Sequence, residues 1–172
     1  GADVCTGGST TLTATVLGGG APYTYEFGDG VGFTPPQAGN TLAISPTATT
    51  TYTVIVTDGC GATASATHTI NVNPIPTVAI TPTASGFCVT GSVDMTASGA
   101  TTYTWSPAAG LSATTGATVT ATPTATTIYT VTGTSLGCSS TATNTVEVGV
   151  AITSITATAT PNSICVGGTS QL

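Results

Sequence analysis

One pattern of cysteine, aromatic and threonine positions is written twice in this chain and begun a third time. The first copy places Cys5, Tyr23 and Tyr25, then Pro46-Thr-Ala-Thr-Thr-Thr-Tyr52, then Cys60 and Ile70-Asn-Val72. The second places Cys88, Tyr103 and Trp105, then Pro123-Thr-Ala-Thr-Thr-Ile-Tyr129, then Cys138 and Val146-Glu-Val148. The third opens at Cys165-Val-Gly-Gly-Thr-Ser-Gln-Leu172. The period is about 77–83 residues. A repeat of that length is a whole small domain, because a solenoid turn is far shorter. The chain therefore divides into repeat 1 (1–74), which lacks a leading strand, repeat 2 (75–149), and the first strand and start of a third unit (150–172). It reads as a window on a domain array.

Composition narrows what such units do. There is no Lys or Arg, and six acidic residues stand alone. Neutralising phosphate needs cations, so nucleic acid is excluded as a partner, and so is docking on anionic lipid heads. No run approaches the ~20 apolar residues of a spanning helix, so membrane insertion is not expected. About a quarter of the residues are Thr. Thr is β-branched, which favours strands, and it keeps a surface polar without charge. A protease that cuts at Lys or Arg finds no site, which suits life outside a cell; drift within a Thr-rich repeat explains the same absence.

The five cysteines fall at equivalent repeat positions. They predict bridges Cys5–Cys60 and Cys88–Cys138, with the partner of Cys165 beyond the chain end. Each loop of roughly 50 residues would stabilise its unit by about 4 kcal/mol on the chain-entropy argument. That is large for a small core. No Cys-x-x-Cys occurs and there is one His, so zinc is a poor reading. Structural disulfides imply an oxidising, extracellular or cell-surface location.

Alternation with period two recurs throughout: Val93-Met95-Ala97 around Asp94 and Thr96, Tyr103 and Trp105 around Thr104, Tyr129 and Val131 around Thr130. Thr and Gly oppose helix. Repeat 2 predicts strands near 77–82, 92–98, 101–106, 110–113, 117–122, 127–134 and 141–149. Seven antiparallel strands in so few residues predict a two-sheet sandwich. Trp105 is expected in the core from the third strand. Tyr52 and Tyr129 follow a Pro-Thr-Ala-Thr-Thr bend and are expected as core residues whose hydroxyls bond backbone across that bend, the tyrosine-corner arrangement. Asn73-Pro74-Ile75-Pro76 is a short, stiffened linker.

The run Tyr103-Thr-Trp105-Ser-Pro-Ala-Ala-Gly-Leu-Ser112, with Pro123 to Val131 and Gly137-Cys138, resembles the Ig-like and PKD-like tandem repeats of large Bacteroidota surface proteins. Such repeats occur in gliding adhesins and other type IX secretion cargo. Tyr25-Glu-Phe-Gly-Asp-Gly30 is similar to the Trp-Asp-Phe-Gly-Asp-Gly signature of PKD domains, with Tyr for Trp. The resemblance implies all-β, seven-stranded sandwiches in tandem on a cell surface.

Little chemistry competes with a structural role. Glu26 and Asp29 could give a weak Ca²⁺ site, but a hard cation needs six to eight oxygens, and a turn uses Gly and Asp equally well. His68 is alone, no acid pair suggests hydrolysis, and no cofactor motif occurs. The expectation is a non-enzymatic structural module of an extracellular filament or adhesin. The alternative is a carbohydrate- or protein-binding accessory module of a secreted enzyme, which predicts an exposed aromatic platform. Partners would be neighbouring repeats or copies of the chain, with strand 150–160 as the candidate donor to the open edge of repeat 1.

Overall fold

The computed structural model describes residues 3–83, 85–158 and 166, and every described element is a β-strand. Repeat 1 holds β1 (Asp3–Cys5), β2 (Thr10–Thr13), β3 (Thr24–Gly28), β4 (Thr41–Ile44), β5 (Thr50–Thr57) and β6 (Thr63–Asn73). Repeat 2 holds β7 (Ala79–Thr81), β8 (Ser85–Cys88), β9 (Val93–Ser98), β10 (Thr102–Ser106), β11 (Thr118–Ala121), β12 (Thr127–Ser135) and β13 (Cys138–Gly149).

In repeat 2 one sheet runs β10-β12-β13-β8 and faces a second sheet, β11-β9-β7. Period-two alternation builds the space between them. Trp105, Tyr129, Val131 and Val146 point inward from the first sheet, and Ile80, Met95, Ala97, Val119 and Ala121 from the second, as one continuous core. Each fully buried Val, Ile or Met is worth roughly 1.5–3 kcal/mol relative to exposure. The Thr residues between them face solvent or line the edges. Gly133 interrupts β12 for a steric reason. A Cβ there would meet the Ala100 side chain at 2.7 Å and would also strike Val78.

Two details depart from the expected strand list. Residues 110–113 form no strand; Leu111 makes only an isolated bridge to Ala121. The leading strand is also split in two. β7 pairs antiparallel with β9, the chain leaves that sheet after Pro82, and β8 joins the opposite sheet parallel to β13. Pro has no N–H to give to a ladder, so it suits the point where the strand changes partner. Repeat 1 shows the same exception to antiparallel pairing, since β1 runs parallel to β6.

Repeat 1 is the thinner copy. Its sheets are β1-β6-β5-β3 and β2-β4. Its buried side chains fall into two small clusters, Ala14, Tyr25 and Phe27, and Ile44, Tyr52 and Ile70. Nothing among the described residues takes the place that β7 holds in repeat 2. β6 accordingly leaves seven consecutive residues exposed before the buried Ile70.

Candidate functional site: the joint between repeats and an open sheet edge

The joint is assembled from the far ends of strands. β1 lies in register with the end of β6, so that Cys5 sits opposite Asn73. Thr6 closes this end by donating its N–H to the Asn73 carbonyl at 2.9 Å. From repeat 2 comes the β12–β13 hairpin. Its two central residues, Leu136 and Gly137, have φ of 50° and 80°, the left-handed pair a two-residue hairpin demands. Leu136 is an uncommon residue there, and it is 71% exposed. Its carbonyl accepts the Asn73 side-chain N–H at 3.0 Å. Ser140 donates to the carbonyl of Pro76 and pins the linker. Across this contact Cys5 and Cys138 form a disulfide with Cα atoms 5.6 Å apart, joining residues 133 positions apart in sequence.

This pairing corrects both expected bridges. Cys60 lies in the β5–β6 turn, whereas Cys5 is level with the last residue of β6. From Thr63 to Asn73 that strand runs about 33 Å at ~3.3 Å per residue. Cys88 is level with Gly149, the last residue of β13, and Cys138 is its first, so they are separated by about 36 Å on the same measure. A disulfide needs Cα atoms within roughly 7 Å. The expected bridges need both cysteines of a repeat at one end, and the parallel pairing of β8 and β1 carries the first cysteine to the opposite end. Cys60 and Cys88 are unbonded and exposed. Cys165 lies outside the described residues.

Asp58, which sequence reasoning passed over, organises the Cys60 turn. Its Oδ2 accepts the Gly20 N–H at 3.2 Å, and its Oδ1 accepts the N–H groups of Cys60 and Ala62, each at 2.9 Å. These bonds, with Gly20 the strongest contributor, hold its carboxyl below the usual aspartate range. Asp followed by Gly is a turn signal, and that signal was present at Asp58-Gly59. Leu136-Gly137 was likewise marked as a turn and Asn73 as the start of the linker, but nothing local showed that the two would meet.

The second feature is a cleft of about 580 Å³ in repeat 1, lined by Leu12, Ala14, Tyr52, Val54, His68 and Ile70 among others. β2 pairs with β4 as β9 pairs with β11, and its other edge has no described neighbour. In repeat 2 this position is filled by β7, which buries Ile80 to 5% exposure. Register makes the comparison residue by residue: Tyr52 faces His68 across β5–β6, and Tyr129 faces Asn144 across β12–β13. Asn144 is buried, and its amide donates to the Pro82 carbonyl at 3.0 Å and to Ser85 Oγ at 3.2 Å, fastening the crossover from β7 to β8. His68 holds the same place and is exposed.

The remaining expected residues take structural places. Trp105 is 3% exposed and donates its indole N–H to the Gly116 carbonyl at 2.9 Å. Tyr129 is fully buried, and its hydroxyl donates to the Ala109 carbonyl at 2.8 Å. That partner lies in the β10–β11 loop rather than across the Pro123 bend, so the expected corner is made with a different segment. Burial pushes the Tyr129 phenol up, as it does that of Tyr52, where the negative charge of Asp29 adds to the effect. Asp29 Oδ1 accepts the N–H groups of Val31 and Gly32 at 3.0 and 3.3 Å, and these bonds hold its carboxyl low. Glu26 lies on β3 between the buried Tyr25 and Phe27, on the opposite face. Among the described residues no three acidic, His or Cys side chains gather as metal ligands, and Asp29 is engaged in its own turn.

The geometry defines an immunoglobulin- or fibronectin-III-like β-sandwich fold. One solved structure agrees, and two weaker likenesses accompany it. The fibronectin(III)-like modules of Clostridium thermocellum CbhA match at a TM-score of 0.51 and 12% identity, over 92% of this chain and 94% of that one. The titin I-band fragment I67–I69 matches at 0.49 and 14%, over 86% and 62%. Three N-terminal domains of the bacteriophage RB49 outer capsid protein Hoc match at 0.43 and 21%, over 84% and 55%. At these identities the likeness shows the fold alone. No family model and no curated protein matches the chain.

Proposed function

We propose that the chain is a structural module of an extracellular filament or adhesin, a rod of sandwiches that spaces or builds. The observation that carries this reading is the joint. A two-proline linker, the Asn73–Leu136 and Ser140–Pro76 hydrogen bonds and a disulfide converge on one contact between repeats. A ligand-binding pair of domains has no evident use for a covalent lock between its units; a load-bearing or length-setting rod does. The lock also suits an oxidising compartment, and the Thr-rich, cation-free surface and the resemblance to Bacteroidota surface repeats fit that location.

The aromatic side chains favour the same reading over a sugar-binding accessory module. A sugar platform needs flat, exposed rings. Trp105, Tyr25, Phe27, Tyr52 and Tyr129 are turned inward, and Phe33 alone among the large aromatics reaches 50% exposure. We read the module as non-catalytic, since its acids serve turns and edges.

The open edge of β2 supplies a means of assembly. Val150, Ile152 and Ile155 are each at least 90% exposed, and residues 150–158 join no sheet. In our reading the segment 150–160 of a second copy adds to β2 and fills the cleft, as β7 does in repeat 2. Backbone bonds then give affinity and alternate side chains give fit. Electron microscopy of the native material tests the rod: end-to-end strings with a spacing of about 40 Å per repeat, from β13 at ~3.3 Å per residue, support it, and isolated globules overturn it. An excess of free peptide of sequence 150–160 tests the strand. It should raise the melting temperature of repeat 1 and shorten the strings; no change in either removes strand donation.

A further inference from the structure

We propose that Cys60 and Cys88 are two halves of a further inter-repeat disulfide, made on the pattern of Cys5–Cys138 with the adjoining repeat at each end of this unit. The proposal rests on the tandem-rod reading. It comes from a rule the joint itself displays: the first cysteine of one repeat bonds the hairpin cysteine of the next.

Both free thiols satisfy the two terms of that rule. Cys88 is the first cysteine of repeat 2. It stands opposite Gly149 as Cys5 stands opposite Asn73. The next residue donates in the same way, Val89 N–H to the Gly149 carbonyl at 3.0 Å and Thr6 N–H to the Asn73 carbonyl at 2.9 Å. Cys88 is therefore presented at the end from which residues 150–158 emerge. Cys60 is the hairpin cysteine of repeat 1, in the β5–β6 turn as Cys138 follows the β12–β13 turn. It lies at the opposite end of the rod, and Asp58 fixes its turn. Both are exposed and unbonded. Their equivalents are bonded to each other in the same molecule. Head-to-tail stacking with the geometry of the observed joint brings Cys88 of one unit against a Cys60-type thiol of the next. No like pair, Cys60 with Cys60 or Cys88 with Cys88, meets in that arrangement.

The chemistry balances as thiol–disulfide exchange. Two thiols lose two protons and two electrons and form one S–S bond. The electrons reduce a small-molecule or protein disulfide to two thiols, which take up the protons.

The test incubates the full chain in a buffer of reduced and oxidised glutathione, followed by non-reducing electrophoresis. Linkage is mapped by mass spectrometry after cleavage at aromatic residues, because no Lys or Arg is present and Phe87, unlike any acid, separates Cys60 from Cys88. Cys60→Ser, Cys88→Ser and Cys165→Ser are run in parallel. The expected result is a ladder of multimers in which Cys60–Cys88 linkages outnumber like pairs several-fold. Either of the first two variants should abolish that linkage and leave Cys5–Cys138 intact, and Cys165→Ser should leave the ladder unchanged. Persistent free thiols at both positions, or like pairs as frequent as Cys60–Cys88, overturn the proposal. On native material, full reduction to a 16.5 kDa species identifies the partner as a second copy. A larger reduced polypeptide whose mapped linkage still joins a first cysteine to the next hairpin cysteine supports the bridge within one chain. Micrographs separate the two levels: strings with free Cys60 and Cys88 defeat this inference alone, and scattered globules defeat the rod.

Discussion

Replacing Cys138 with Ser should weaken both repeats by a similar amount, because the bridge crosses the joint between them. When repeat 1 unfolds on its own, its chain is anchored at two points on folded repeat 2: through Cys5 to Cys138, and through the linker at Pro76. The unfolded segment is then a closed loop of roughly 70 residues, and closure removes about 4 kcal/mol of its conformational freedom on the chain-entropy estimate. Cutting the bridge returns that freedom. For a unit of this size each kcal/mol moves the melting temperature by about 4–8 °C, so a fall of at least ~15 °C is expected for repeat 1. Repeat 2 is tethered in the same way: unfolding alone, it is held on folded repeat 1 at the linker and through Cys138, a closed loop of roughly 65 residues whose closure again removes about 4 kcal/mol. Two signals separate the units. Trp105, the only tryptophan, reports repeat 2 through fluorescence, and far-ultraviolet circular dichroism reports both. The expected result is a fall of both the dichroism and the tryptophan transitions by comparable amounts. An unmoved tryptophan transition, or no shift in either signal, would refute the argument that the bridge tethers both repeats.

Met95→Ala removes a fully buried side chain from the repeat 2 core and should cost about 2–5 kcal/mol, read in the Trp105 unfolding transition. Tyr129→Phe deletes the bond to the Ala109 carbonyl and should cost about 1 kcal/mol in the same assay, with the buried ring retained. The Asp58 carboxyl is held below its ordinary 3.8. Its contribution is complete above that value and is lost as pH falls through the lower folded one, so the Cys60 turn should loosen below pH 3.8. Asp58→Ala should reproduce the loosening at neutral pH, measured by backbone amide exchange at Cys60 and Ala62. Tyr129 titrates in the opposite sense. Its raised value keeps repeat 2 fully stable below pH 10 and makes stability fall as pH climbs through the folded value, seen as an alkaline melting limit that Tyr129→Phe removes.

The fold class was legible because it depends on local alternation. Val93, Met95 and Ala97 sit two apart on β9, and Tyr129 and Val131 sit two apart on β12, so period two already marked the inward face. The turns were legible for the same local reason, through Gly, Pro and Asp. The split leading strand was not. Ser85-Gly86-Phe87-Cys88 carries no alternation long enough to notice, and its pairing with β13 is parallel and distant in sequence. Residues 110–113 look like a strand and make only one bridge, because Tyr129 holds Ala109 from below and the loop is shaped around that bond.

Repetition, composition and period two were enough to determine tandem β-sandwiches with cysteines at matching places and no cationic chemistry. Those properties follow from each residue and its near neighbours. Only the tertiary structure decided what the cysteines join. Disulfide partners are chosen by distance, and distance here depends on which end of a sandwich each strand reaches. The parallel placement of β1 and β8 carries the first cysteine of each repeat to the end remote from its own second cysteine. The bridge therefore crosses the joint, and what looked like a lock within each domain is a lock between domains.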